Sequence, residues 1–220
     1  MLHGVTSSGK TEIYTKLIED YIKEGKQVLY LLPEIALTTQ LVSRLTQYFG
    51  NKVAVFHSKY NNNERVEVWQ NVLQNSEKAQ IVIGARSALF LPFSNLGLII
   101  VDEEHEATFK QYDPAPRYHA RDSAIVLANS HQAKVLLGSA TPSIETYYNA
   151  TSGKFGLVTL TERFGNVQMP DIELVDLKDS YFRKKMKGHF SLTLIEQITE
   201  AFSNGEQVIL FQNRRGFSPV

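Results

Sequence analysis

Five short runs of the chain are almost continuously apolar, at residues 28–32, 53–56, 81–84, 98–102 and 135–138. Runs of this length without alternation predict strands covered on both faces, as in a parallel sheet. Between them, apolar positions recur with helical period. In the first such stretch Ile13, Tyr14, Leu17, Ile18, Tyr21 and Ile22 share one face, and Gly25 supplies the stop. Further helices are predicted over roughly 34–49, 64–74, 121–129 and 143–149. Strand–helix–strand repetition predicts an α/β fold, a doubly wound and mostly parallel sheet. Such sheets hold ligands at the carboxyl ends of their strands.

The pattern changes after Phe164. Residues 166–188 hold Pro170, a short apolar run at 172–175 and the basic cluster 183–187; a helix at 192–203 and a strand at 207–211 are predicted to follow. The reading is a first lobe over 1–165, then a linker and the incomplete start of a second lobe over 166–220. Only Met1, Leu2 and His3 precede the first motif, so the strand that should feed it is barely present. The chain therefore reads as a piece of a longer protein.

Composition narrows little. Hydrophobic residues make up 43% and charged residues 21%, ordinary for a soluble globular protein. No apolar run approaches the ~20 residues of a membrane span, and the polar stretch from Gly4 is unlike a secretory signal. With no cysteine there is no disulfide framework and no thiolate metal site, which fits a reducing cytoplasm. Twenty-three basic residues balance 23 acidic ones, a mild argument against a dedicated nucleic-acid-binding domain.

The strongest chemical signal is Gly4-Val5-Thr6-Ser7-Ser8-Gly9-Lys10-Thr11, which fits G-x-x-x-x-G-K-[ST]. Glycines let successive N–H groups turn around a phosphate, and the helix that follows adds the positive end of its dipole. Lys10 would neutralise the outer phosphates, and the Thr11 hydroxyl would ligate Mg²⁺. A second signal is the apolar run that ends in Asp102-Glu103-Glu104-His105. Asp102 is placed to hold Mg²⁺, and Glu103 to orient and deprotonate an attacking water. Together the two motifs specify a nucleoside-triphosphate site, though not what the energy is used for.

Other segments carry two readings each. Gly138-Ser139-Ala140-Thr141 could hydrogen-bond to the acidic motif, or form a small-residue turn with a cap before the next helix. Phe109, Lys110, Gln111, Tyr112, Arg117, Tyr118 and His119 mix rings that can stack on bases with cations that can meet phosphates. Some of these rings could equally anchor an ordered insertion in the core. Pro114 and Pro116 favour a fixed loop over a helix. No histidine spacing suggests a metal site.

D-E-x-H after a phosphate loop, followed by S-A-T, resembles the superfamily 2 helicases, and the finer spelling resembles the primosomal replication-restart helicases of bacteria. The matching segments are residues 4–14, 32–40, 57–58, 84–90, 102–111, 116–122, 137–143 and 211–217, in order along almost the whole chain. One departure is Ser7, where the family more often has glycine. The resemblance implies a RecA-like lobe that uses ATP and Mg²⁺ to unwind DNA. It implies that His105, Ser139 and Thr141 couple the ATP site to the second lobe. It implies that His57, Ser58, Arg86 and the segment holding Phe109, Lys110, Tyr112 and Arg117 meet DNA, and that Arg214 and Arg215 open the second lobe. Partners would be forked or single-stranded DNA, single-stranded-DNA-binding protein and primosome proteins, in the bacterial cytoplasm at the nucleoid. A zinc module is expected elsewhere in the parent protein and not in this segment. An arginine supplied by the second lobe can be worth ~10³–10⁵ in rate, so this segment alone is expected to bind Mg-ATP weakly and turn it over poorly. Two alternatives stay in view: a P-loop kinase or nucleic-acid-independent ATPase, and a non-catalytic binding module.

Overall fold

The apolar runs become strands of one sheet because alternate side chains of each strand feed two separate cores. The computed structural model describes residues 1–33, 39–57, 60–168 and 170–211, which divide into two units, Met1–Gln168 and Met169–Val220. In the first unit the strands are β1 (Leu2–Gly4), β2 (Gln27–Leu31), β3 (Val53–Phe56), β4 (Ile81–Gly84), β5 (Leu96–Asp102), β6 (Lys134–Ser139) and β7 (Val158–Leu160). They lie in the order β3-β4-β2-β5-β6-β1-β7, and every neighbouring pair is parallel. Helices α1 (Lys10–Lys23), α2 (Thr39–Phe49), α3 (Asn62–Leu73), α4 (Ala120–His131) and α5 (Ile144–Thr151) connect them.

Leu29, Leu31, Val82, Ile99 and Val101 point into one core with Val72 of α3 and Ala120, Ala124 and Ala128 of α4. Their strand neighbours Val28, Tyr30, Ile81, Ile83, Leu98 and Ile100 point into the other, with Tyr14 and Ile18 of α1 and Leu45 of α2. This two-sided burial is the reason the strands read as unbroken apolar runs. Asn61 and Glu64 form a reciprocal capping box that starts α3, and the Ser143 hydroxyl caps α5.

Register brings the motifs to one edge. Asp102 pairs with Gly138, Gly138 with Leu2, and Leu2 with Val158, so β5, β6, β1 and β7 reach their carboxyl ends side by side. The short β1 is therefore an interior strand between β6 and β7, with Leu2 only 2% exposed. Strand β7 escapes the apolar pattern because it is three residues long and Val158 stays exposed.

The second unit has α6 (Leu177–Phe182), capped by Asp176, then β8 (Met186–Lys187) and β9 (Phe190–Ser191) in a small antiparallel hairpin, then α7 (Leu192–Ser203), capped by Ser191. The basic cluster lies in this turn and hairpin, with Arg183 paired to Asp179. Residues 207–211, expected as a strand, carry no regular structure: among the described residues no strand pairs with them, and an extended run alone gains no ladder hydrogen bonds. The part of the expected α2 at 34–38, Ser58, Arg214 and Arg215 lie outside the described residues.

Candidate nucleotide-binding site

β1 ends at Gly4, and the chain turns through residues 5–9 before α1 begins at Lys10. Ser7 (φ 64°) and Gly9 (φ 86°) occupy the left-handed region, which a side chain tolerates poorly and glycine freely. That conformation would suit glycine at position 7, where this chain has Ser7. A Cβ on Gly4 would come within 2.6 Å of the Ser8 Oγ and 3.1 Å of the Lys10 Cγ, so a side chain there would push the Ser8 hydroxyl aside. Lys10 Nζ donates to the Gly4 carbonyl at 2.8 Å, joining the two ends of the loop. Ser8 Oγ is buried without a partner among the described residues. Buried hydroxyls are almost always paired, and an anionic oxygen cradled by this loop would supply the acceptor. Residues 6–12, Arg44, Asp102, Glu103 and Phe164 line a cavity of about 670 Å³ at this point. Glu12 and Arg44 form an ion pair on its wall.

Asp102, the last residue of β5, is held by three donors. Its Oδ1 accepts from the Tyr14 hydroxyl at 3.0 Å and from the Glu103 N–H at 3.1 Å; its Oδ2 accepts from the Tyr30 hydroxyl at 3.2 Å. Burial raises the Asp102 pKa, opposed by the two tyrosine hydroxyls, the Glu103 N–H and the charge of Lys10. Burial also raises the Glu103 pKa, helped by Asp102 and opposed by Lys10 and His105. Glu103 itself has φ 50°, an uncommon backbone state for a non-glycine residue and one that concentrates at functional sites. Neither tyrosine stands out in the sequence as more than a core residue. Tyr14 and Asp102 are 88 positions apart, and only the fold shows that α1 and β5 meet.

His105 and Glu104 reach in opposite directions from the same turn. His105 Nδ1 lies 2.8 Å from Ser139 Oγ and 3.6 Å from Glu103 Oε2, while its Nε2 lies 3.4 Å from Thr141 Oγ1. The expected contact between the acidic motif and Ser139 and Thr141 is thus present in the structure. Glu104 is fully buried. Its carboxylate accepts from Arg121 Nη1 at 3.0 Å, the Ser143 N–H at 2.7 Å, Ser143 Oγ at 3.0 Å and Thr146 Oγ1 at 2.8 Å. This network ties the turn after β5 to the starts of α4 and α5. Sequence reasoning missed it, because three adjacent acids do not reveal which one turns inward.

Residues 1–150 match the family described as DEAD/DEAH box helicase. The chain belongs to that family. It is similar to the replication restart protein PriA of Rickettsia felis, at 47% identity over 220 residues, all of this chain and 33% of that protein. The Bacillus subtilis PriA is 45% identical over 218 residues, 99% of this chain and 27% of that protein. The Haemophilus influenzae PriA is 47% identical over 220 residues, 100% of this chain and 29% of that protein. The chain thus spans a third or less of the length of these curated relatives. Among solved structures, RecG bound to a three-way DNA junction superposes with TM-score 0.54 at 24% identity, covering 76% of this chain and 21% of that one. A DEAD box protein from Methanococcus jannaschii superposes with TM-score 0.52 at 20% identity, covering 72% of this chain and 45% of that one. The shared fold is the RecA-like helicase domain.

In this helicase lobe Arg86, Lys110, Tyr112 and Arg117 gather at the loop after the acidic motif. Arg86 Nη1 donates to the Lys110 carbonyl at 2.9 Å and to the Thr108 carbonyl at 3.4 Å. Lys110 and His119 form an antiparallel bridge, and Gln111 Nε2 donates to the carbonyls of Pro114 and Pro116, so the segment is an ordered loop. Tyr112 and Arg117 are exposed on it, and Lys110 Nζ donates to the Arg117 carbonyl. Phe109 is a correction: its ring is 1% exposed and packs in the core with Leu137 and Ala120, so it anchors the loop and presents no face to a base. Sequence reading missed Phe90, which is exposed and meets Tyr118 edge-on with ring centroids 5.0 Å apart. His57 lies at the end of β3, with its ring 6.5 Å from that of Tyr60.

Proposed function

We propose that this chain is the ATP-binding core of a DNA helicase motor that acts in replication restart, as the names of its PriA relatives suggest. One observation carries the reading: Lys10 and Thr11 share a cavity with Asp102 and Glu103, and His105 joins Glu103 to Ser139 and Thr141. In this account the N–H groups of residues 5–9 cradle the phosphates, and Lys10 exchanges its Gly4 carbonyl for a phosphate oxygen. Thr11 and Asp102 would hold Mg²⁺, supplying the hard oxygen ligands it takes. Mg²⁺, when bound, offsets charge on the terminal phosphates. Glu103 orients the attacking water and accepts its proton, helped by a pKa that burial raises above the usual carboxylate value. His105 passes the state of Glu103 to Ser139 and Thr141, and through them to a second lobe.

Arg86 supports the proposed DNA contacts by holding the loop that exposes Tyr112 and Arg117, with Lys110 at its base. Single-stranded or forked DNA is the substrate we propose, with single-stranded-DNA-binding protein and primosome components as partners in the bacterial cytoplasm. Among the described residues no helix is long and apolar enough to cross a membrane. The reading is tested by ATPase assays of the full-length protein with and without single-stranded DNA. His105→Ala should keep nucleotide binding and lose most of the DNA stimulation. Equal stimulation in the variant would remove His105 from the coupling path, and no DNA stimulation of the parent protein would overturn the helicase reading.

A further inference from the structure

The cavity has an aromatic wall that the phosphate chemistry does not use. Phe164 lines it, yet the residue is 87% exposed. Its backbone is not loose: the Phe164 N–H donates to the Ser7 carbonyl at 2.8 Å, which fastens the short 3₁₀ turn Phe164–Asn166 directly onto the phosphate loop. Gly165, at φ 79°, then turns the chain away. A main-chain bond thus fixes the backbone that carries a large apolar ring beside a cavity whose other lining side chains are polar or charged.

Sheet order says which end of a nucleotide would meet this ring. Asp102 closes β5, and Phe164 follows four residues after β7 ends at Leu160. Strands β6 and β1 lie between β5 and β7, so three strand spacings, ~14 Å, separate the two strand ends. That span is comparable to an extended nucleoside triphosphate. With the terminal phosphate and metal at the acids, the triphosphate on the loop and the loop bonded to Phe164, the base falls at the ring. A cavity of about 670 Å³ has room for the whole molecule.

We infer that Phe164 is the nucleobase platform of this site, stacking its ring on the base of the bound nucleotide. The inference rests on the nucleotide-site reading and adds the specificity element to it. Stacking uses the π-face that every base has. Phe164 therefore confers preference for a base-bearing ligand over a bare triphosphate, and for purines, with their larger face, over pyrimidines. It does not by itself confer recognition of adenine against guanine.

The test compares Mg-ATP, Mg-CTP and inorganic magnesium tripolyphosphate on the 220-residue chain and on the full-length protein, in the parent, Phe164→Ala, Phe164→Trp and Lys10→Ala forms. Phe164→Ala should weaken ATP about tenfold and leave tripolyphosphate unchanged, narrowing the ATP/CTP preference. Phe164→Trp should retain ATP affinity, with indole fluorescence quenched by ATP and untouched by tripolyphosphate; the native Trp69 lies on α3, which packs on the other face of the sheet. Unchanged ATP affinity in Phe164→Ala, or an equal loss for ATP and tripolyphosphate, would overturn the platform while leaving a Lys10-dependent site standing. Absence of Lys10-dependent binding of any of the three ligands would instead overturn the nucleotide reading, and the platform with it.

Discussion

The Tyr14 hydroxyl donates to Oδ1 of Asp102 at 3.0 Å through space that only a glycine at position 138 leaves open. A Cβ there would lie 1.8 Å from the tyrosine oxygen and 2.9 Å from the ring carbon that carries it. The helix launched by the phosphate loop thus holds the acid of a strand two places away in the sheet, across the strand that ends in Ser139. Gly138→Ala should cost ~1–3 kcal/mol of stability through overpacking, read from the denaturant midpoint. Combined with Tyr14→Phe, which removes the nearest clashing atom, the total should be smaller than the sum of the two single effects. Strict additivity would mean that the two residues do not share this space.

Asp102 links the site to folding. Burial places its pKa above the unfolded value, so the folded chain binds this proton more readily than the unfolded chain. Its contribution to stability is complete below the unfolded carboxylate pKa of about 3.9 and is lost as pH rises through the folded pKa. Asp102→Asn removes the buried charge and keeps an acceptor for the Tyr14 hydroxyl, while its amide N–H can donate to the Tyr30 oxygen in place of the bond that hydroxyl now donates. It should flatten stability against pH over that window and stabilise the protein by ~0.5–2 kcal/mol at pH 7, while weakening Mg-dependent nucleotide binding. A variant less stable than the parent at pH 7 would contradict this, as measured by thermal denaturation across pH.

Glu104 does different work from its two neighbours. Removing the carboxylate with Glu104→Ala leaves Arg121, whose side chain is only 12% exposed, without its buried partner. Breaking a buried pair from one side costs about 3–5 kcal/mol, so the variant should unfold at markedly lower denaturant or fail to accumulate. Glu104→Gln should be milder. A loss below about 1 kcal/mol for Glu104→Ala would show that Ser143 and Thr146 hold the turn without the acid.

These residues mark where sequence was enough and where it was not. Strand runs such as Ile81–Gly84 are legible because both faces are buried, and the phosphate loop is legible because its glycines and lysine answer local backbone demands. The tyrosine clamp on Asp102, the inward turn of Glu104 and the burial of Phe109 depend on contacts between distant positions. A ring beside basic residues looks the same in sequence whether it faces a base or the core. Phe164 was passed over for a related reason: it stands where the pattern changes, and only the sheet order brings it to the cavity.

Catalysis has its own pH signature. The burial that raises the Glu103 pKa should place the acidic limb of the ATPase profile above the usual glutamate value of about 4.3, since the base must be ionised to accept the water proton. Activity should therefore rise with pH through that limb. Glu103→Gln should bind Mg-ATP and hydrolyse it at least ~100-fold more slowly. Turnover within a few-fold of the parent would assign the base to another group.

The most direct test of the central claim is calorimetric titration of the chain with ATP, with and without Mg²⁺, beside its Lys10→Ala variant. Saturable, Mg²⁺-dependent binding that weakens about tenfold or more in the variant is the predicted result, since a charge-assisted contact to phosphate is worth ~1.5–3 kcal/mol. Equal affinity of the two proteins for Mg-ATP would contradict a site built around this phosphate loop.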